Sequence, residues 1–258
     1  MIHELNHLGI VTADLDRSVA FYVDLLGARP VWSAEVAASG MRIAYLQLAQ
    51  GLVELIEFAG DAAPAGANHL GFLSDDLDGD VERLRSSGAV VTVEPRATGS
   101  GVGRQALVLD PDGVWIELLQ RDLPLRSGTT PHPHIHAIDH VALQADDHDR
   151  SLAFYRDGLG MAVARQTPIP SLDTTLTYLH HGEDVVELLP KVHDGARLHH
   201  LALVVDDVDA ALARLVADGG EPDGPSRPAA GGIGRVGSVT DPNGVVIEFV
   251  DRPRVLEG

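Results

Sequence analysis

Short apolar runs, several of them alternating polar and apolar, recur along this chain, and among them lie four stretches with apolar residues at helical spacing. These are Leu15–Gly27 (LDRSVAFYVDLLG), Leu77–Gly88 (LDGDVERLRSSG), His148–Gly160 (HDRSLAFYRDGLG) and Val208–Gly220 (VDAALARLVADGG). Each ends in glycine, as a helix closed by a left-handed cap does. Each follows a strand-like run containing histidine: NHLGIV from Asn6, NHLGFL from Asn68, DHVALQ from Asp139 and HHLALV from His199. Each precedes runs such as AYLQL, LVELIEF, ALVLD and VWIELL, which suit half-buried strands. DPDG (Asp110–Gly113) and DPNG (Asp241–Gly244) read as tight turns between the last two strands of a unit. The pattern predicts strand, helix and three strands, four times over: an α+β chain of four βαβββ units.

The units pair into a tandem duplication. Leu15–Gly27 and His148–Gly160 match at an offset of 133 residues, and the two DPxG turns match at 131. Between the halves, Leu123–Ile135 (LPLRSGTTPHPHI) is rich in Pro, Gly, Ser and Thr without an apolar period. Two domains, 1–123 and 136–258, are therefore expected on either side of a linker at 124–135.

Charge and composition narrow the function. A net charge of −19 over 258 residues with no basic cluster argues against a nucleic-acid partner. The opening MIHELNH lacks a basic start and an apolar run, and no stretch reaches the length of a membrane span; a cytoplasmic, soluble protein with no membrane association is expected. The absence of cysteine leaves nitrogen and oxygen groups for any chemistry, and draws attention to the 13 histidines.

Each strand histidine has a glutamate at fixed distance. Glu54 lies 47 residues beyond His7, as Glu187 does beyond His140, while Glu117 lies 48 beyond His69, as Glu248 does beyond His200. A glutamate inside an apolar strand is costly to bury unless its charge is compensated, and a metal ion compensates it. Imidazole nitrogen and carboxylate oxygen suit a divalent first-row metal, and two His with two Glu leave coordination positions open for substrate oxygens or water. A single strand histidine is ordinarily a packed or edge residue and a single strand glutamate a solvent-facing one; eight positions in register favour metal sites, although a duplication copies residues whether or not they are still used. In HHLAL the register selects His200 rather than His199. His132, His134 and His136 read as residues of a solvated linker, and His180 and His181 as part of a hairpin turn before Gly182. Phe21, Tyr22, Phe154 and Tyr155 read as core packing, and Ala229–Gly237 (AAGGIGRVG) as a rim loop.

Taken together, NHLGI, LDRSVAFYVDLLG, LVELIEF, NHLGF and DPDGVWIELL, followed by DHVAL, HDRSLAFYRDGLGM, VVELLP, HHLAL and DPNGVVIEFV, resemble the vicinal oxygen chelate superfamily over nearly the whole chain. That superfamily includes glyoxalase I, methylmalonyl-CoA epimerase, extradiol dioxygenases and the fosfomycin and bleomycin resistance proteins. The resemblance implies cup-shaped mixed sheets built from paired βαβββ units. It places metal ligands at His7, Glu54, His69 and Glu117, and at His140, Glu187, His200 and Glu248, around a divalent ion (Fe, Ni, Co, Mn or Zn). Whether each cup forms within one half or by exchange between halves stays open, which would regroup His7 and Glu54 with His200 and Glu248.

The reaction expected from the resemblance is that of a metal-dependent lyase or isomerase on a small molecule with vicinal oxygens, through an enediolate-type intermediate, with Glu54, Glu117, Glu187 or Glu248 moving the proton. The His-Glu-His-Glu order is similar to glyoxalase I; the epimerase usually has glutamine second. An Fe(II)-dependent ring-cleaving dioxygenase is an alternative, lowered because extradiol dioxygenases carry a further His and Tyr before the DPxG turn, absent from GVGRQALVLDPDG and GIGRVGSVTDPNG. An antibiotic-binding resistance protein is another, disfavoured by the retained ligand set. Glyoxalase I has an arginine four residues after its first histidine for the glutathione carboxylate; Val11 and Gln144 stand there, which argues against a glutathione adduct. A monomer or homodimer is expected.

Overall fold

Alternation along the strands decides which face of each sheet is core. Leu8 and Ile10, Val53 and Leu55, Leu70 and Phe72, and Ile116 and Leu118 pack into one apolar cluster, while residues of the alternate register, His7, Glu54, His69 and Glu117, point to the opposite face. The second half repeats this with Val141 and Leu143, Val186 and Leu188, Leu201 and Leu203, and Ile247 and Phe249.

The computed structural model describes residues 1–60, 63–123, 125–129, 132–169, 174–191, 196–229 and 232–257. The first half runs β1 (Ile2–Thr12), α1 (Leu15–Ala20), β2 (Arg29–Val36), β3 (Met41–Leu48), β4 (Gly51–Glu57), β5 (Gly66–Ser74), α2 (Leu77–Ser86), β6 (Val90–Ala97), β7 (Arg104–Leu109) and β8 (Trp115–Gln120). The second runs β9 (Ile135–Ala145), α3 (His148–Ala153), β10 (Ala162–Ile169), β11 (Thr174–His181), β12 (Asp184–Pro190), β13 (Leu198–Val205), α4 (Val208–Ala217), β14 (Arg227–Pro228), β15 (Arg235–Thr240) and β16 (Val246–Val250). The four expected units are present, and they form two eight-stranded mixed sheets with orders β2-β3-β4-β1-β5-β8-β7-β6 and β10-β11-β12-β9-β13-β16-β15-β14.

The pairing settles how units combine. β1 lies parallel to β4 and antiparallel to β5, and β5 lies parallel to β8; β9, β12, β13 and β16 repeat the arrangement. Each cup therefore forms inside one half.

Among the described residues, α1 to α4 each start on an aspartate whose side chain accepts a backbone N–H three residues on: Asp14 from Arg17, Asp76 from Gly79, Asp147 from Arg150 and Asp207 from Ala210. Phe21–Leu25 and Phe154–Gly158 continue α1 and α3 as wide π-type turns, and Gly27 and Gly160, at φ of +68° and +78°, end them.

The halves share a core and hold one another reciprocally. Tyr22 Oη donates to Asp241 Oδ2 (3.0 Å), and Tyr155 Oη donates to Asp110 Oδ2 (2.8 Å). The other oxygen of each aspartate accepts N–H groups of its own DPxG turn, from Asp112 and Val114 or from Asn243 and Val245. Core packing, expected for the two tyrosines, is therefore joined by an inter-half hydrogen bond at each.

Residues 124, 130 and 131 of the expected linker lie outside the described residues. Its other residues are not merely solvated, because they cover apolar surface and buried polar groups. Leu125 packs with Tyr45 and Leu52, Arg126 donates to Asp184 and to the Leu5 and Asn6 carbonyls, and half-buried His132 lies where a Cβ on Gly27 would come within 2.2 Å of its ring. Ile135 and His136 already belong to β9, and Arg235–Gly237 of the expected rim loop belongs to β15, while residues 230 and 231 of that loop lie outside the described residues.

Candidate metal centres

In the first half the four predicted residues meet on the concave face. His7 Nε2 and His69 Nε2 are 3.0 Å apart. Glu54 Oε2 lies 3.3 Å from His7 Nε2 and 3.1 Å from His69 Nε2, and Glu117 Oε2 lies 3.4 Å and 3.6 Å from the same atoms. Donors bonded at about 2.1 Å to a common divalent ion stand about 3.0 Å apart at right angles and about 3.4 Å apart in a tetrahedron. The observed separations fit that geometry, and all four residues are buried.

Two features outside the predicted set shape the ring geometry in this first site. Gly9 faces His69 and Gly71 faces His7 across the β1–β5 pair; a Cβ on either would lie 2.0 Å from the opposite ring. Each ring's other nitrogen is held by the preceding residue: His7 Nδ1 is 3.2 Å from Asn6 Oδ1, and His69 Nδ1 is 3.1 Å from Asn68 Oδ1. Asn6 Oδ1 also accepts from Arg121 Nη2 at 2.6 Å. Such outer contacts fix ring orientation. A glycine two places after each histidine, inside a strand, was the available sequence signal.

Charge in this first site is tightly coupled. Burial alone would push the Glu54 carboxyl up, but His7 and His69 hold it well below the usual range; Glu117 is lowered by the same rings. Burial opposes a charge on His69, yet Glu117 and Glu54 raise it to about 10.

The second half keeps the frame but not the full convergence. His140 Nε2 and His200 Nε2 are 3.0 Å apart, and Glu187 Oε2 is 3.1 Å and 3.8 Å from them. These three form a group able to hold an ion; Glu248 is not among it. Glu248 Oε2 is 3.7 Å from His200 Nε2, and its Oε1 is 3.9 Å from Arg227. Alanines, Ala142 and Ala202, replace the two glycines opposite the rings, and the rings meet at 72° instead of 87°.

The ring partners change as well. Asp139 Oδ2 accepts from His140 Nδ1 at 2.8 Å and from Arg252 at 2.7 Å. Burial opposes a charge on His140, but Glu187 and Asp139 raise it to about 10, and His140 brings Glu187 down to about 2 against the effect of burial. Burial and the nearby His140 push His200 down to about 3, and burial raises Glu248.

Each donor set lies in a cavity. The first, about 660 Å³, is walled by Trp32, Ile43, Tyr45, Trp115 and Leu119, with Arg96 and Arg121. The second, about 380 Å³, is walled by Ile169, Leu176, Tyr178 and Val246, with Arg165, Arg227 and Arg252. Among the described residues, no helix is long and apolar enough to cross a membrane.

The sequence profile of the Glyoxalase/Bleomycin resistance protein/Dioxygenase superfamily matches residues 4–118 and again 137–249. The chain belongs to this superfamily. Within it, the lactoylglutathione lyase GLX1 of Arabidopsis thaliana is 27% identical, with 97% of this chain aligned to 92% of that one. The Mn(II)-bound glyoxalase from Novosphingobium aromaticivorans superposes with a TM-score of 0.69 at 22% identity, over 100% of this chain and 85% of that one. The 2,3-dioxygenase LapB from Pseudomonas sp. KL28 gives the same TM-score at 18% identity, over 95% and 90% of the two chains. At these structural identities the likeness is one of fold, two tandem modules of the vicinal oxygen chelate type.

Proposed function

We propose that the chain is a metal-dependent lyase or isomerase of the glyoxalase type, acting on a small molecule with adjacent oxygens. The observation that carries this is the set of 3.0–3.6 Å separations among His7, Glu54, His69 and Glu117 on a buried concave face. Near full-length similarity to a protein named lactoylglutathione lyase supports it. His7, Glu54, His69 and Glu117 would hold one divalent ion, and His140, Glu187 and His200, with Glu248 beside them, a second; Fe, Ni, Co, Mn and Zn all accept this donor set. When bound, the ion supplies Lewis-acid stabilisation of negative charge on a carbonyl oxygen.

The protein's own groups then have separate tasks. Trp32, Ile43 and Leu119 exclude water and hold the apolar part of the substrate. A glutamate Oε1, the oxygen not turned to the histidines, takes the proton from the carbon beside the carbonyl and returns it to the neighbouring carbon. Glu117 and Glu248 suit that task best: their side chains are 12% and 18% exposed, against 7% and 5% for Glu54 and Glu187, so they are the ones open to the cup. Neither Val11 nor Gln144 supplies a charge for a glutathione carboxylate, and Gln144 Nε2 instead donates to the Ala196 carbonyl. A smaller thiol adduct or an α-hydroxycarbonyl is the substrate class this favours.

The second cup's two-histidine, one-carboxylate group favours one other reading, an Fe(II) oxygenase. Metal content, 2-oxoaldehyde turnover with glutathione and with smaller thiols, and oxygen uptake with catechols are to be measured together. The proposal expects stoichiometric metal and chelator-sensitive isomerisation, reduced at least about a hundredfold by Glu117→Gln with Glu248→Gln. Metal-free protein, or oxygen uptake coupled to turnover, refutes it.

A further inference from the structure

The two cups differ most at a pair of equivalent positions on their opening strands. Trp32 on β2 and Arg165 on β10 are the same residue of the duplicated unit, at the 133-residue offset, and each lines its own cavity. On the opposite edge both cups carry an arginine, Arg96 on β6 and Arg227 on β14, matched at the 131-residue offset. The first cup thus sets one edge arginine against an indole. The second carries an arginine on both edges of a cavity of about 380 Å³.

The second pair is available for a ligand. Arg165 is half-buried on the wall and, among the described residues, forms no hydrogen bond or ion pair. Arg227 has Glu248 Oε1 at 3.9 Å, beyond hydrogen-bonding reach, as its ion-pair partner. The third arginine of the cup, Arg252, is already committed to Asp139 and the Pro253 carbonyl, and the first cup's Arg121 is likewise committed to Asn6 and Tyr45. In a chain of net charge −19, half-buried Arg165 on one edge of the cup and Arg227, whose side chain is 67% exposed, on the other make a local attraction for an anion that the rest of the surface repels. The planar fork of arginine matches a carboxylate. The apolar wall between the two edges, Ile169, Leu176 and Val246, suits a short carbon skeleton reaching from such a group to the histidines.

We propose that the second cup recognises small molecules bearing a free carboxylate remote from their paired oxygens, held between Arg165 and Arg227, and that the first cup, with Trp32 in place of Arg165, does not make this distinction. This rests on the reading of the cups as vicinal-oxygen sites, and it concerns the opposite end of the ligand. The probes are 3,4-dihydroxybenzoate and 3,4-dihydroxybenzamide, identical in their adjacent oxygens and different in the remote charge. Both are titrated anaerobically by calorimetry into the metal-loaded full chain carrying His7→Ala, which disables the first cup. The acid is expected to bind on the order of tenfold or more tighter than the amide, the ratio falling with added salt. Arg165→Gln should abolish the ratio and Arg165→Lys retain part of it, both with unchanged metal content. Tryptophan emission should stay unchanged on titration, since both tryptophans of the chain, Trp32 and Trp115, line the first cup. Equal affinities in the parent, a preference that survives Arg165→Gln, or tryptophan quenching by the acid overturns the proposal. If the protein holds no metal, the proposed function fails by itself, and the acid-to-amide ratio in the metal-free chain still tests the arginine pair.

Discussion

Replacing Gly9 and Gly71 with alanine should splay the first donor set. Each new methyl would begin 2.0 Å from the Cε1 of the histidine opposite, and an ordinary contact begins at 3.4 Å, so each ring must retreat by about 1.4 Å. A metal–ligand distance tolerates only about 0.2 Å. Neither glycine has positive φ, so the backbone accepts alanine and the effect acts through the rings. The second cup shows what accommodation looks like: with Ala142 and Ala202 in these places its ring nitrogens still stand 3.0 Å apart, but the rings are tilted and Glu248 falls outside the group that can share an ion. The assay is competition against a chromophoric chelator, in a His140→Ala background so that the first cup alone is read, with circular dichroism confirming the fold. Affinity is expected to drop by about 10- to 100-fold, the range seen when the support of a metal ligand is disturbed. Overpacking adds a loss of about 1–3 kcal/mol in stability. Affinity within about twofold of the parent would show that the glycines are not what lets the rings converge.

Three further outcomes follow from the same geometry. His69 and His140, raised to about 10, are protonated in the metal-free chain at pH 7, so metal binding should release about one proton per cup, seen as a dependence of calorimetric heat on buffer ionisation; no release contradicts the assigned charge states. By the same shifts, the metal-free fold gains stability from both rings below pH ~6.5, and that contribution fades as pH rises through 10, which urea melts of chelator-treated protein across this window should reproduce. Tyr155→Phe leaves the buried Asp110 Oδ2 short of its donor and should cost about 1–3 kcal/mol in denaturant unfolding, and Tyr22→Phe less, because Asp241 Oδ2 keeps the Asn243 Nδ2 donor; values near zero for both would mean that these bonds do not hold the halves together.

The repeat, the four units and the eight His and Glu positions were legible because the duplication displays each signal more than once and strand alternation assigns every residue a face. Which units share a sheet was not legible, since β1 satisfies the same alternation whether it pairs with β5 or with a strand of the other half; the choice depends on long-range pairing that leaves no local trace. The aspartates of the two DPxG turns read as turn residues and are that, but only three-dimensional packing reveals that the second oxygen of each accepts a tyrosine from the opposite half. The linker misled for a similar reason. Its Pro and Gly content correctly denies it regular structure, yet Leu125 and Arg126 are ordered by what lies beneath them, not by their sequence neighbours.

The divergence of the second cup is not the pattern that decay leaves. A copy losing its use accumulates polar groups without partners, which cost roughly 1–3 kcal/mol each when buried. Where the first half has Asn6 the second has Asp139, a carboxylate that is only 1% exposed, and its charge is matched by the Arg252 guanidinium, the His140 ring and the Val255 N–H. The burial of Asp139 would raise its pKa, yet these partners, His140 first among them, hold it below the usual range. Because it faces a ring nitrogen that donates away from the cup, the carboxylate strengthens the other nitrogen as a donor to whatever the cup holds, a stronger version of the role Asn6 plays for His7. A buried charge with three partners, set behind a histidine that also contacts Glu187, argues that the second half supports its His–Glu–His frame with a different set of outer contacts.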